Sequence, residues 1–112
     1  MTEAKLGGLL GLARRAGLLR VGHDAALGAL QAKTARLLLF AADASDRLFA
    51  EMERAAAKFS PETALVRSDV SMQALGHYIG KRNVAVLCVD DDGLAKRIQT
   101  QVWEGRQDDE EI

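Results

Sequence analysis

The stretch ARLLLFAADAS, residues 35–45, decides the fold of this chain. Its segment from Arg36 to Ala41 is apolar after the first residue and just long enough for one strand buried on both faces of a sheet. Asp43 and Ser45 follow as short polar residues that begin helices, because their side-chain oxygens accept hydrogen bonds from the first free N–H groups. The stretch therefore predicts a buried strand followed at once by a helix.

Helix and strand patterns alternate on both sides of this stretch. Before it, we expect a helix with Leu6, Leu9, Leu10 and Ala13 on one face, a stop at Gly17, a small strand at Leu18–Val21, and a helix from Gly22 to about Ala32. After it, we expect a helix bearing Leu48, Met52 and Phe59 that Ser60-Pro61 ends, a buried strand at Thr63–Val66, a helix from Ser71 to Gly80, a third and longest strand at Asn83–Val89, and a last helix capped by Asp90–Asp92.

This alternation predicts an α/β fold, a three-layer α/β/α sandwich with right-handed crossovers and helices on both faces of the sheet. With 112 residues, 48% of them apolar and 28% charged, the chain is expected to form one domain that needs no disulfide. We assign residues 1–103 to this domain and residues 104–112 to an acidic, disordered tail.

Charge is distributed unevenly between the acidic tail and the rest of the chain. The net charge is −1, but residues 104–112 hold five acidic residues and one basic residue, which leaves a body of about +3. The N-terminus shows no secretory signal, and the longest apolar run, residues 37–42, is far shorter than the roughly 20 residues of a membrane span. We therefore expect a soluble, cytoplasmic protein.

Three strings in the sequence resemble the L-seven-Ae ribosomal protein superfamily, and most closely its bacterial YlxQ-type branch. They are LLGLARRAGLLRVG at residues 9–22, ARLLLFAADAS at residues 35–45, and ALGHYIGKRNVAVLCVDDDGLAKRI at residues 74–98. Their order and spacing cover nearly the whole chain except the tail. The resemblance implies a kink-turn-binding fold of the same sandwich architecture, with RNA bound by the loops at one end.

In RNA-binding members of the superfamily, a G-x-N-E-x-x-K signature opens the second helix. Gly22 keeps the glycine, whereas Asp24, Ala25 and Gly28 replace the asparagine, glutamate and lysine. An ionised aspartate only accepts hydrogen bonds, alanine offers no side-chain hydrogen bond, and glycine removes a cation. These departures argue against recognition of a standard kink-turn.

Other features that suit RNA binding are present in the sequence. A glycine at a helix start lets another backbone approach closely, and the free N–H groups there suit a phosphate. Arg20 falls where binding members often carry lysine, and residues 81–83 form the loop before the last strand, which in the family also touches RNA. The candidate RNA-binding residues are Arg20, Gly22, His23, Asp24, Ala25, Gly28, Asp43, Lys81, Arg82 and Asn83.

The motifs that would indicate an enzyme or a cofactor are weak. The stretch from Gly76 to Arg82 fails as a phosphate-binding loop, because only three residues separate its glycines where four are needed, and no Ser or Thr follows the lysine. Two isolated histidines, His23 and His77, do not make a zinc site, and Cys88 lies in the most apolar strand. We expect no catalysis, no metal and no cofactor.

The sequence thus predicts a non-catalytic, ribosome-associated RNA-binding protein. Its expected partners are structured RNA, ribosomal in origin, and ribosomal or other proteins. The alternative is a protein-interaction scaffold that has kept the fold and lost kink-turn recognition, which the residues at positions 24, 25 and 28 motivate.

Overall fold

The computed structural model describes the backbone of residues 2–110 and the side chains of residues 5–105. Helices and strands alternate along this part of the chain. In chain order they are α1 (Thr2–Arg15), β1 (Leu19–Val21), α2 (His23–Gln31), β2 (Leu37–Phe40), α3 (Asp46–Phe59), β3 (Ala64–Arg67), α4 (Met72–Tyr78), β4 (Val86–Val89) and α5 (Asp92–Glu110).

The four strands form one mixed sheet in the order β1-β4-β2-β3. β2 and β3 are parallel, as the crossover through α3 requires, whereas β4 is antiparallel to both β1 and β2. The expectation of right-handed crossovers is therefore wrong for the connection from β3 to β4, because such a crossover joins parallel strands. After α4 the chain doubles back, and the N–H of Val84 bonds to the carbonyl oxygen of Met72 at the start of that helix. β4 thus enters the sheet at the same end at which β3 leaves it.

The layered architecture is confirmed by burial on both faces of the sheet. All four residues of β2 and all four of β4 are buried, and successive side chains in a strand point to opposite faces. α2 packs on α3 and on β1 and β4, while α1 packs on α4 and α5. The result is the predicted three-layer α/β/α sandwich.

Three elements, β3, β4 and α5, differ most from expectation. β3 is an edge strand whose residues are only half-buried, and it begins one residue later than predicted. β4 is four residues long and not the longest strand, because Val84 bonds to α4 before the chain enters the sheet. α5 continues past Trp103, so the backbone of the segment predicted as a disordered tail is helical as far as Glu110. The side chain of Trp103 on this helix is 58% exposed.

The helix starts agree well with the sequence. Ser45 accepts a hydrogen bond from the N–H of Leu48, and Ser71 accepts one from the N–H of Ala74, each at 3.1 Å. Asp91, within the predicted cap, does the same for Leu94 at 2.9 Å. Each of these bonds satisfies an N–H group that has no partner within its own helix.

Candidate nucleic-acid interface

The start of α2 is tied to the start of β4 by a backbone hydrogen bond. The N–H of Gly22 donates to the carbonyl oxygen of Val86 at 3.0 Å. Gly22 has φ +98°, a conformation that glycine adopts without strain, and a β-carbon there would meet nothing within 4 Å. The backbone at this turn is therefore accessible to a ligand.

The N-terminus of α2 offers free hydrogen-bond donors. Gly22 is its N-cap, no side chain caps it, and the helix's own bonding begins with the N–H of Ala26 donating to Gly22. The preceding N–H groups, together with the positive end of the helix dipole, form a favourable environment for a phosphate. Ala25 is half-buried in the first turn, and Gly28 lies exposed one turn further along.

Two carboxylates surround His23, the first residue of α2. Its Nδ1 lies 2.9 Å from Oδ1 of Asp24, and its Nε2 lies 2.7 Å from Oε2 of Glu51 on α3. Hydrogen bonding to Asp24 and then to Glu51 raises the pKa of His23 above its usual value. The charge beside the helix start therefore becomes less negative when the imidazole is protonated.

The segment Lys81–Asn83, here the 81–83 loop, is held against α4 by its backbone. The N–H of Lys81 donates to the carbonyl oxygen of Gly76 at 2.8 Å. A β-carbon on Gly76 would lie 2.6 Å from the carbonyl oxygen of Arg82, so only glycine permits this approach. All three loop side chains are exposed, and neither Lys81 nor Arg82 forms an ion pair with another described residue.

A further cation lies at the base of this loop. A β-carbon on Gly80, where φ is +73°, would lie 2.9 Å from Nη1 of Arg14, so the guanidinium covers the end of α4. Arg14 is not among the candidate residues predicted from the sequence. Its position in the last turn of α1 was visible, but its proximity to Gly80 depends on how α1 packs against α4.

Asp43 lies at the same end of the sheet, but in a different role from the one expected. Its Oδ1 accepts a hydrogen bond from the N–H of Met72 at 2.8 Å. Asp43 therefore joins the loop after β2 to the start of α4, and Ser45 alone caps α3. The carboxylate is exposed and lies at the end of the sheet at which β4 begins.

Arg20 is separated from the other candidates. Its Nε donates to Oδ2 of Asp90 at 2.6 Å, and Asp90 follows β4 at the end opposite to Val86. This hydrogen bond, with the charge of the carboxylate, raises the pKa of Arg20. The structure thus brings together three parts of the predicted site, Gly22–Ala25, Asp43 and the 81–83 loop. The side chain of Arg20 instead bonds to Asp90 at the other end of β4.

The described residues contain no group of three or more His, Cys, Asp or Glu side chains arranged to hold a metal ion. Within residues 2–110, no helix combines the length and apolar character needed to cross a bilayer.

The fold is similar to solved structures. A protein with unknown function from Bacillus halodurans C matches with a TM-score of 0.79 and 26% identity, over 88% of this chain and 97% of that chain. A 15.5 kD RNA binding protein of Giardia lamblia matches with a TM-score of 0.67 and 20% identity, over 92% of this chain and 86% of that one. No family model matches the sequence, and no curated protein matches it. The second likeness shows that an RNA-binding protein has the same fold.

Proposed function

We propose that this protein binds structured RNA without catalysis, through the N-terminus of α2 and the neighbouring 81–83 loop. The observation that carries the proposal is the hydrogen bond between Gly22 and Val86, which sets the uncapped start of α2 beside the strand that the basic loop enters. The likeness of the fold to the Giardia RNA-binding protein supports it. We further propose that the chain is a member of the L-seven-Ae superfamily, which this likeness supports, and of its YlxQ-type branch, which only the resemblance of residues 9–22, 35–45 and 74–98 supports.

The proposed binding mode is electrostatic and shape-dependent. A phosphate at the first N–H groups of α2 would interact with the helix dipole, and Lys81 and Arg82 would neutralise neighbouring phosphates. Both cations are exposed and free of ion pairs with described residues, so binding breaks no existing ion pair. The exposed carboxylate of Asp24 can accept hydrogen bonds from guanine N–H groups, but it repels a phosphate placed beside it.

A more specific proposal concerns the kind of RNA that is bound and the cell compartment in which binding takes place. We propose a ribosomal RNA element that is distorted or kinked, bound in the cytoplasm, with recognition that differs from that of a standard kink-turn. The substitutions at Asp24, Ala25 and Gly28 support the difference, because they remove a donor, a side-chain hydrogen bond and a cation.

Ultraviolet cross-linking of the full-length protein to ribosomal RNA fragments, followed by mass spectrometry of the peptides, tests the location. Cross-links within residues 22–25 and 81–83 are the expected result. Cross-links confined to α3 or to the end bearing Asp90, or the absence of any complex at low salt, would contradict the proposal.

The second candidate function is a protein-interaction scaffold. The carboxylates of Asp24 and Glu51 favour it, because they place negative charge at the very helix start that a phosphate would occupy. Affinity purification from cells, with and without nuclease, separates the two. Loss of all partners after nuclease supports RNA binding, whereas protein partners that persist with no bound RNA support the scaffold.

A further inference from the structure

A groove of about 550 Å³ lies between α1 and α5. Leu9 and Leu12 of α1 contribute apolar surface, and Gly8 leaves room beside them. Leu12 is 41% exposed, one of only two large apolar side chains that are exposed among the described residues. The volume of the groove lies within the roughly 300–1,000 Å³ of ordinary ligand pockets, which suits a few side chains of a bound segment.

Four cations surround this apolar surface. Lys5 and Arg15 line the groove from α1, and Lys96 and Arg97 line it from α5. None of the four forms an ion pair with another described residue, and no carboxylate is among the described residues that line the groove. The groove is thus apolar at its centre and positive at its margins.

One polar group in the groove lacks a partner. The side-chain carbonyl oxygen of Gln101 is buried and accepts no hydrogen bond from any described residue. Rotation of its amide would present an acceptor or a donor to the backbone of a bound chain. A bound segment that donates a hydrogen bond to this oxygen would remove the cost of leaving it unpaired.

An RNA backbone fits these features less well than a peptide does. Phosphates would meet the cations, but they bring no apolar group to cover Leu9 and Leu12. No aromatic residue is among the described residues lining the groove, so it offers no surface on which a base could stack. None of the residues of the nucleic-acid interface lines it either.

We propose that this groove is a docking site for an acidic amphipathic segment of a partner protein. Apolar side chains on one face of the segment cover Leu9 and Leu12, and flanking Asp or Glu residues meet the four cations. Charge complementarity at the margins sets the choice of partner and the rate of encounter. The site is separate from the RNA interface, so both ligands can be bound together.

Gly8 provides a direct test, because a β-carbon there would meet nothing within 4 Å and a larger side chain would extend into the groove. The probe is a fluorescent helical peptide with leucines at positions i, i+4 and i+7 and glutamates beside them. Gly8→Leu in the full-length protein should abolish its binding, whereas Gly8→Ala should retain most of it. Equal binding by both variants, or no binding by the unaltered protein, would overturn the proposal.

Charge reversal provides the second arm. Lys96→Glu with Arg97→Glu should weaken peptide binding about tenfold or more, because attraction at the margin becomes repulsion. The matched control, Arg54→Glu with Lys58→Glu, reverses two exposed cations on α3 and should leave peptide binding unchanged.

RNA binding of the Gly8→Leu variant should equal that of the unaltered protein. If Gly8→Leu abolishes RNA binding, the groove belongs to the RNA surface, and the proposal of a protein site fails while RNA binding itself stands.

Discussion

Gly76 of α4 lies so close to Arg82 that a β-carbon on it would come within 2.6 Å of the Arg82 carbonyl oxygen. The same glycine accepts the hydrogen bond from the N–H of Lys81. The conformation of the 81–83 loop is therefore set by backbone contacts with α4, and its cationic side chains are left free to meet a ligand.

Gly76→Ala should displace this loop. The added methyl group must push the backbone of Arg82 away, and overpacking of this kind costs about 1–3 kcal/mol of stability. Urea unfolding should show that loss, and RNA affinity should fall because Lys81 and Arg82 move. Gly28→Ala is the control for stability: its β-carbon meets nothing, and removing an exposed helical glycine should stabilise the protein by about 0.5–1 kcal/mol. A Gly76→Ala variant as stable as the unaltered protein would show that the loop adapts freely.

Restoring the family signature should create kink-turn recognition. Asp24 and Gly28 are exposed, and Ala25 is only half-buried, so Asp24→Asn, Ala25→Glu and Gly28→Lys can be combined without disturbing the core. Each regained hydrogen bond contributes about 0.5–1.5 kcal/mol, so the triple variant should bind a kink-turn RNA about tenfold more tightly or better. Filter binding to that RNA and to a straight duplex measures the gain. An equal gain for both RNAs would indicate a charge effect only.

His23 predicts a pH-dependent stability. Because the folded-state pKa is raised by Asp24 and Glu51, the stabilising contribution is fully present below the ordinary value of about 6.5 and is lost as pH rises through the raised value. The difference in unfolding free energy between the unaltered protein and His23→Gln should therefore be larger at about pH 6 than at about pH 9. Replacing Glu51 by Gln should reduce this pH dependence. A difference that is constant across the range would contradict the assignment.

Cys88 should report unfolding and should not act as a reactive thiol. It is fully buried, its Sγ donates to Oδ1 of Asp90 at 3.2 Å, and burial, with this bond, raises its pKa. Its reaction with a thiol reagent should be about a thousandfold or more slower in the native protein than in urea, because reaction requires opening of the sheet. Rapid labelling under native conditions would show that β4 opens locally.

The continuous apolar runs predicted the two central strands, but a run that is buried on both faces carries no information about strand direction. The antiparallel entry of β4 depends on the short α4 and on the bond between Val84 and Met72, which local patterns do not encode. β3 was predicted as buried because its residues are mainly apolar, but it is an edge strand, and the local pattern does not encode its place in the sheet.

The candidate site was predictable where a residue acts locally. Gly22 opens α2 as its sequence position indicates. Arg20 was placed with the site because it falls where binding members of the family often carry lysine, but its partner Asp90 is 70 residues away. Asp43 was interpreted as a helix starter for α3 and instead serves α4, since only the folded loop brings it to Met72. The positions of Arg20 and Asp43 both depend on hydrogen-bond partners that are distant in sequence.

The salt dependence of RNA affinity tests the central claim most directly. Each cation that neutralises a phosphate contributes about one to the slope of log affinity against log salt concentration. Lys81→Ala with Arg82→Ala should weaken binding to structured ribosomal RNA and lower that slope by about two. The matched double variant Arg54→Ala with Lys58→Ala, on α3, should leave the slope unchanged. An unchanged slope for the first pair, or an equal decrease for both, would contradict docking through the 81–83 loop.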